Sequence, residues 1–337
     1  VVMNIPRKAE WHKTADEMLN QGIDYQTIAD VCGVKWQSVN QYAYVRRKRA
    51  KVKYEDKKEY TTADVDNFIE QVIKMQQAAQ KLDTKQVKAT VTIDDDKPIG
   101  VAYWGDWHLG AAGVDYQAFQ DDVAKIRDTD GLYFIGAGDY KDNYITGIHP
   151  GSQFEQNVRP GLQDLMVERF MEKVAPKCLA LLRGCHDAWD KKMADKDFLE
   201  TLCEITGSVN LWHGGELNIK VGKEAYLWRC RHKYKYQSSL NYENAMRRIM
   251  EIQGPCDVAA EAHLHNAFTM NRHIMGQYRI LLRSGSYKVW DEFGQQIAGY
   301  KGKVGVPVII LYPDRHEMVD FKDLDQAIRF LEAERRG

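Results

Sequence analysis

From Asp106 to His265 the chain presents Asp106-Trp-His108, Gly138-Asp139, Gly184-Cys185-His186-Asp187, His232 and His263-Leu-His265. Carboxylates offer hard oxygen ligands and imidazoles offer nitrogen, a mixture that suits divalent cations such as Mn²⁺, Fe²⁺ and Zn²⁺. A two-metal hydrolase needs one carboxylate to bridge the cations and further N and O groups to complete each shell. It also needs a spare His to handle a proton. This set contains all three.

These groups must be carried to one place by the elements that precede them. Apolar runs Ile99–Trp104, Leu132–Ile135 and Cys178–Leu182 lead into the first three blocks, and Val258–Ala260 leads into the last pair. Ligands at the ends of adjacent strands converge in space even when they are far apart in sequence. The intervals between blocks each allow a helix or hairpin, so the expectation is an α/β fold with its site at one end of the sheets.

The ordered blocks closely resemble the signature of the calcineurin-like metallophosphoesterases: D-x-H, G-D, G-N-H-(D/E), H, G-H-x-H. The resemblance covers roughly Lys97 to His316. It implies a two-sheet αββα sandwich. Asp106, His108 and His265 would hold a first metal, Asp139 would bridge, and His232, His263 and the residue at position 185 would complete a second. The expected cofactors are therefore two divalent metal ions, Mn²⁺ foremost. His186 would stabilise the transferring phosphoryl group or protonate the leaving oxygen, and Asp187 would orient its imidazole.

Four positions depart from the family pattern. Cys185 stands where the family has Asn, and a thiolate there would favour Zn²⁺ or Fe²⁺ at the second site. The alternative is that Cys185 does not ligate and the second metal is weakly held. Arg231 precedes His232, and Ala262 precedes His263, where the family has Gly. Asn143 follows Asp142 where many members carry Arg.

The N-terminus suggests a second function. Tyr25–Tyr44 reads as a helix, a tight turn at Gly33 and a second helix, with Ala29 small where helices approach and Val39 packing back. Ala9–Leu19 supplies a preceding helix with Trp11, Ala15 and Leu19 on one face. The segment resembles a helix-turn-helix of the resolvase or sigma-factor kind, the alternative being an ordinary αα corner. Lys35, Gln37, Ser38, Asn40 and Gln41 would face the major groove of DNA. Arg46, Arg47, Lys48 and Arg49 begin a segment to Lys58 that holds eight basic and two acidic residues, a net of 8 − 2 = +6. Such a segment would bind phosphates.

With 337 residues and a net charge of −1, the chain has room for a large core plus a small domain, and the positive patch is local. The expected division is a helix-turn-helix domain over 1–50, then a basic linker and amphipathic helix over 51–87. A metallophosphoesterase domain follows over 88–316 and an exposed C-terminal helix over 317–337. Val65, Phe68, Ile69, Val72, Ile73, Met75, Ala79 and Leu82 form a stripe that either docks on the catalytic domain or pairs two chains as a homodimer. Lys88–Ile93 should be the first catalytic strand and Val306–Leu311 a buried one. In the glycine- and proline-bearing loop 144–161 and beyond, His149, Arg159, Trp189, Lys191 and Lys192 are placed to line substrate access, Trp189 either stacking a base or packing. His12, His213, His273 and His316 have no motif context and read as structural. Six cysteines without a C-x-x-C pair, no apolar run of about 18 residues and a polar N-terminus together suggest a reduced, cytoplasmic protein with no membrane segment.

The expected function is a metal-dependent phosphodiesterase, foremost a DNA nuclease targeted by its N-terminal unit. Two alternatives stand beside it. One is a small-molecule phosphodiesterase or phosphatase whose N-terminal unit binds protein, and the other is a DNA-binding regulator with a degenerate metal site.

Overall fold

Ile99–Trp104 is apolar at every position because the strand it forms, β2, is covered on both faces. Val101 and Tyr103 pack on one side, Ala102 and Trp104 on the other. A computed structural model describes residues 10–50, 60–81, 88–145, 152–274, 276–292 and 304–337. The chain divides into two compact units, Val1–Leu82 and Asp83–Gly337.

The second unit is built on two six-stranded sheets. With β1 as Lys88–Ile93, β3 Leu132–Gly136, β4 Cys178–Leu181, β5 Val209–Asn210, β11 Val308–Leu311 and β12 Met318–Phe321, the first sheet runs β12-β11-β2-β3-β4-β5. With β6 Gly214–Val221, β7 Glu224–Arg231, β8 Val258–Glu261, β9 Phe268–Ile274 and β10 Gln277–Arg283, the second runs β1-β6-β7-β8-β10-β9. One core cluster lies between them, with Val101, Tyr103, Ile135 and Ala180 from the first sheet against Leu217, Trp228, Val258 and Leu282 from the second. On the outer face of the first sheet, Trp104, Phe134 and Ile310 meet Phe119, Val167 and Leu202. Those three belong to α5 (Tyr116–Asp128), α6 (Pro160–Val174) and α8 (Phe198–Thr206), with the short α7 (Ala188–Ala194) between the last two in the chain. On the outer face of the second, Met246 and Met250 of α9 (Asn244–Gln253) cover Ala259 and Leu281. This is the expected αββα sandwich.

Within the first sheet β2, β3, β4 and β5 are parallel, and within the second β7, β8 and β10 are parallel. The loops leaving β2, β3, β4, β7 and β8 are the ones that carry the candidate ligands. The last helix, Leu324–Arg336, differs from expectation. Leu324, Ala327 and Leu331 are buried against the first sheet, so it is an amphipathic layer element and not a free helix. Its Arg335 also pairs with Asp95 at 2.9 Å and Asp130 at 2.6 Å.

The first unit contains α1 (Glu10–Asn20), α2 (Tyr25–Cys32), α3 (Trp36–Ala50) and α4 (Thr62–Lys81). Asp24 caps α2 by accepting the N–H groups of Gln26 at 3.0 Å and Thr27 at 3.1 Å. Gly33 ends it at φ 64°, where a side chain would be strained. Ala15, Ile28, Ala29, Cys32 and Val39 form the small core. Lys35, Gln37, Ser38, Asn40, Gln41, Arg47 and Lys48 are exposed. Arg46 is committed inside the unit, 3.0 Å from Asp16 and 2.7 Å from the Asn20 side-chain oxygen, and Arg47 donates to the Tyr25 hydroxyl at 3.0 Å. The Arg49 side chain, the basic stretch 51–59 and residues 82–87 lie outside the described residues. No described residue of α4 is buried. Among the described residues, no helix is long and apolar enough to cross a membrane.

Candidate metal centre

Seven side chains from five loops meet at the strand ends. Ligand atoms of Asp106, His108 and His265 lie within 4.8 Å of one another, as do those of Cys185, His232 and His263. Asp139 belongs to both sides: it groups with Asp106 and His232, and again with His108 and His186. The predicted bridging carboxylate therefore sits between the two predicted triads.

The backbone marks the same residues. Among the described residues, non-glycine φ is positive at eight positions, and five of these are ligands. They are Asp106 (52°), His108 (49°), Asp139 (53°), His263 (75°) and His265 (58°). Each costs of order 1–3 kcal/mol, so strain of this kind persists only where the surroundings over-determine it, characteristically at functional sites. Close loop approach requires glycine as well. A Cβ on Gly184 would stand 2.0 Å from the Asp139 amide nitrogen, and one on Gly138 would stand 2.4 Å from the Gly184 nitrogen.

Hydrogen bonds from behind aim the ligands. His232 Nδ1 lies 2.8 Å from the Ala137 carbonyl, which fixes that nitrogen as an N–H donor and turns Nε2 toward the cluster. Nε2 is buried and 3.1 Å from Asp139 Oδ2, yet the alignment makes no hydrogen bond, so it is an orphaned polar atom facing the cluster. His108 Nδ1 is 3.1 Å from Asp142 Oδ1, and its Nε2 is 3.0 Å from His265 Nε2. Two nitrogens bound to one cation at ~2.1 Å stand about 3.0 Å apart at a right angle and about 3.4 Å apart in tetrahedral geometry. The residues fit divalent metal binding.

The titration behaviour agrees with ligation. Burial lowers His186 to about 4 and His263 to about 3, and it also depresses His265, so these imidazoles are neutral at pH 7 and available as donors. Burial raises Asp106 to about 7, with the Asp139 charge adding to it. Burial works against the charge on Asp139 too, but the neighbouring imidazoles, His232 foremost, outweigh it and hold that carboxylate ionised. Asp139 in turn keeps His232 protonated against its burial. Cations would displace these protons.

One assignment changes. Asp187 does not orient His186. Its carboxylate accepts the backbone N–H groups of Asp139 at 2.7 Å, Gly184 at 2.9 Å and Tyr140 at 3.2 Å, tying the β3 and β4 loops together. His186 is oriented instead through Nδ1 by the Asp142 backbone carbonyl, and its own N–H donates to Asp139 Oδ1 at 2.8 Å. Trp189 packs: it is buried with its ring 4.1 Å from His186 and 5.2 Å from Tyr144. Of the other access residues, Arg159 and Lys192 are exposed, Lys191 pairs with Asp195 at 2.6 Å, and His149 lies outside the described residues. Ala262 is buried and is not among the positive-φ positions, so replacing glycine there carries no backbone strain.

Lys288 was missed by the sequence reading. It is buried, 3.1 Å from the same Asp142 oxygen that supports His108, and 3.3 Å from Asp291. It lies in the loop that follows β10, where its residue type alone does not set it apart from a solvated lysine. Lys141 is likewise buried, between Asp164 and Asp190.

Cys185 groups with His232 and His263, and Cys185→Asn is expected to keep the fold while changing which metal is retained. Elemental analysis after purification checks this. The wild type should hold Zn²⁺ or Fe²⁺ and the variant should shift toward Mn²⁺ or Mg²⁺, whereas identical content would show that the thiol does not ligate.

No protein-family model and no curated protein sequence matches the chain. Among solved structures it is similar to Vps29 of Chaetomium thermophilum at 11% identity, over 67% of this chain and 99% of that one, TM-score 0.39. A protein of Streptococcus pneumoniae described as a predicted phosphoesterase matches at 12% identity over 66% and 97%, TM-score 0.30. The sulfate thiohydrolase SoxB of Thermus thermophilus matches at 10% identity over 71% and 59%, TM-score 0.37.

Proposed function

We propose that the chain is a metal-dependent phosphodiesterase that cleaves DNA, with two divalent cations in the Asp139-centred site and an N-terminal unit that holds the substrate. The observation that carries the hydrolase reading is the meeting of two ligand triads across one carboxylate. Asp106, His108, His265 and Asp139 would hold one cation, and Asp139, His232, His263 and Cys185 the other. Bound there, the pair would supply positive charge for the phosphate and acidify a water between them.

The remaining residues prepare the reaction. Asp142 and Ala137 hold His108 and His232 in their ligating tautomers. His186 donates an Nδ1–H hydrogen bond to the Asp142 carbonyl, leaving Nε2 to exchange a proton with the leaving oxygen. Burial keeps that imidazole neutral, and the negative charge of an arriving phosphate favours its protonation. Lys288 balances Asp142, so the support behind His108 carries little net charge.

The DNA part of the reading is supported by the exposed polar face of α3 and by the local +6 charge that continues it. The direct test is incubation with labelled linear and circular DNA across Mn²⁺, Mg²⁺ and Zn²⁺, with a bis-ester alongside. Bis-ester hydrolysis without DNA cleavage would leave a small-molecule phosphodiesterase.

The same reading includes a homodimer held by α4. Val65, Phe68, Val72, Met75 and Ala79 alternate at spacings of three and four, the a and d positions of a heptad. The flanking e and g positions from Ile69 to Ala78 are Ile69, Gln71, Gln76 and Ala78, so no like charges oppose a second copy there. Val72→Asp is expected to convert a dimer to a monomer in analytical ultracentrifugation. A variant that sediments as the wild type does would exclude this seam.

A further inference from the structure

We propose that the groove between Trp212 and Arg231 is a nucleotide subsite, taking one unpaired base and its phosphate from a DNA strand that leaves the metal centre. The proposal rests on the nuclease reading and names where the strand goes.

Position comes first. Trp212 follows β5 and Arg231 ends β7, so both lie at the strand ends that carry the ligands. The Trp212 carbonyl accepts the Arg183 N–H at 2.6 Å, and Arg183 stands two residues before Cys185. Arg231 immediately precedes His232. Between them opens a cavity of about 320 Å³ lined by Lys88, Trp212, His213 and Arg231 together with the edge of β6. That volume is at the lower end of what small-ligand sites occupy.

The chemistry then selects the ligand. Trp212 is 37% exposed although its backbone is held at φ 54°, a conformation a large side chain adopts only when its surroundings impose it. An indole face stacks any base, but only a base outside a duplex has a face to offer. The Arg183 guanidinium lies 5.9 Å from the Trp212 ring centre and supports the indole. Arg231 provides a planar fork that matches phosphate oxygens in pairs. Among the described residues its guanidinium reaches the Gly214 carbonyl at 3.4 Å, a long contact that leaves donors for a ligand. Gly214 is required at its position, because its φ is 149° and a Cβ there would meet the Cys230 carbonyl oxygen at 2.6 Å. The carboxylate on this edge, Glu216, is matched by Lys88 at 3.0 Å and Arg229 at 3.6 Å, so it does not repel phosphate unopposed.

The test uses the full chain, a bis-ester and single-stranded DNA hexanucleotides, one set intact and one with a single abasic sugar at each position in turn. Trp212→Ala is expected to lower kcat/KM for the intact hexanucleotide, relative to that for the bis-ester, by roughly tenfold, and Trp212→Phe to recover most of it. One abasic position should cost the wild type the same factor and cost Trp212→Ala nothing further. Arg231→Ala should raise KM and flatten the logarithmic salt dependence by about 0.7. A Trp212→Ala enzyme with the wild-type ratio would overturn the subsite alone, as would abasic losses that multiply fully with it at every position. A wild type that hydrolyses the bis-ester but no hexanucleotide would overturn the nuclease reading, and the subsite with it.

Discussion

Asp139→Asn is expected to lower phosphodiester hydrolysis by at least about 10³-fold, more than the 10²–10³ that loss of a single electrostatic donor costs. One residue serves both halves of the site. Asp139 shares ligand distance with Asp106 and His108 on one side and with His232 on the other. It also accepts the His186 N–H at 2.8 Å, so its charge holds the neighbouring loop in place. The amide keeps the volume and one acceptor oxygen but removes the negative charge between the two proposed cations. His232, protonated in the metal-free protein because of that charge, should lose its raised affinity for protons in the variant. Steady-state kinetics after chelation and Mn²⁺ restoration measure the first effect, and NMR titration of the His232 ring measures the second. Unchanged turnover would remove Asp139 from the mechanism.

Deletion of residues 1–58 should separate binding from chemistry. No proposed ligand precedes Asp106, and the unit Asp83–Gly337 contains every strand of both sheets. Removing a segment of net +6 together with α1 to α3 should weaken duplex affinity on the order of 100-fold at moderate salt. It should also reduce the salt slope of log K by up to about five, since each phosphate contact contributes roughly 0.9. Arg46 contributes little to that number, because Asp16 and Asn20 already occupy it. Fluorescence anisotropy at several salt concentrations gives both quantities. A truncated protein that binds duplex DNA with the affinity and slope of the full chain would make the N-terminal unit a protein-binding module.

The sandwich was legible because each ligand block directly follows a strand, and a strand buried on both faces reads as an unbroken apolar run, as Ile99–Trp104 does. The C-terminal helix was misjudged because its three buried positions, Leu324, Ala327 and Leu331, are set among charged residues that dominate its composition. Lys288 was illegible for a different reason. A lysine in a loop is ordinarily solvated, and only the meeting of the β10 and β3 loops brings it to Asp142. Asp187 was misassigned because adjacency in sequence to His186 suggested a partner. The turn instead points that carboxylate back at three amides, while a backbone carbonyl, invisible to residue-type reasoning, holds the imidazole. The ring contacts that bury Trp189 likewise depend on a fold-level meeting of Tyr144 and His186.

The central claim is that Asp106, His108, Asp139, Cys185, His232, His263 and His265 form one site for two cations that hydrolyses phosphodiesters. The most direct measurement titrates metal-free protein with Mn²⁺, following bound metal per chain and bis-ester turnover in the same samples. Two ions bound per chain, with turnover rising as the second site fills and absent in Asp139→Asn, is the predicted result. Binding of fewer than two ions with full turnover, or two ions with none under Mn²⁺, Mg²⁺ or Zn²⁺, would contradict it.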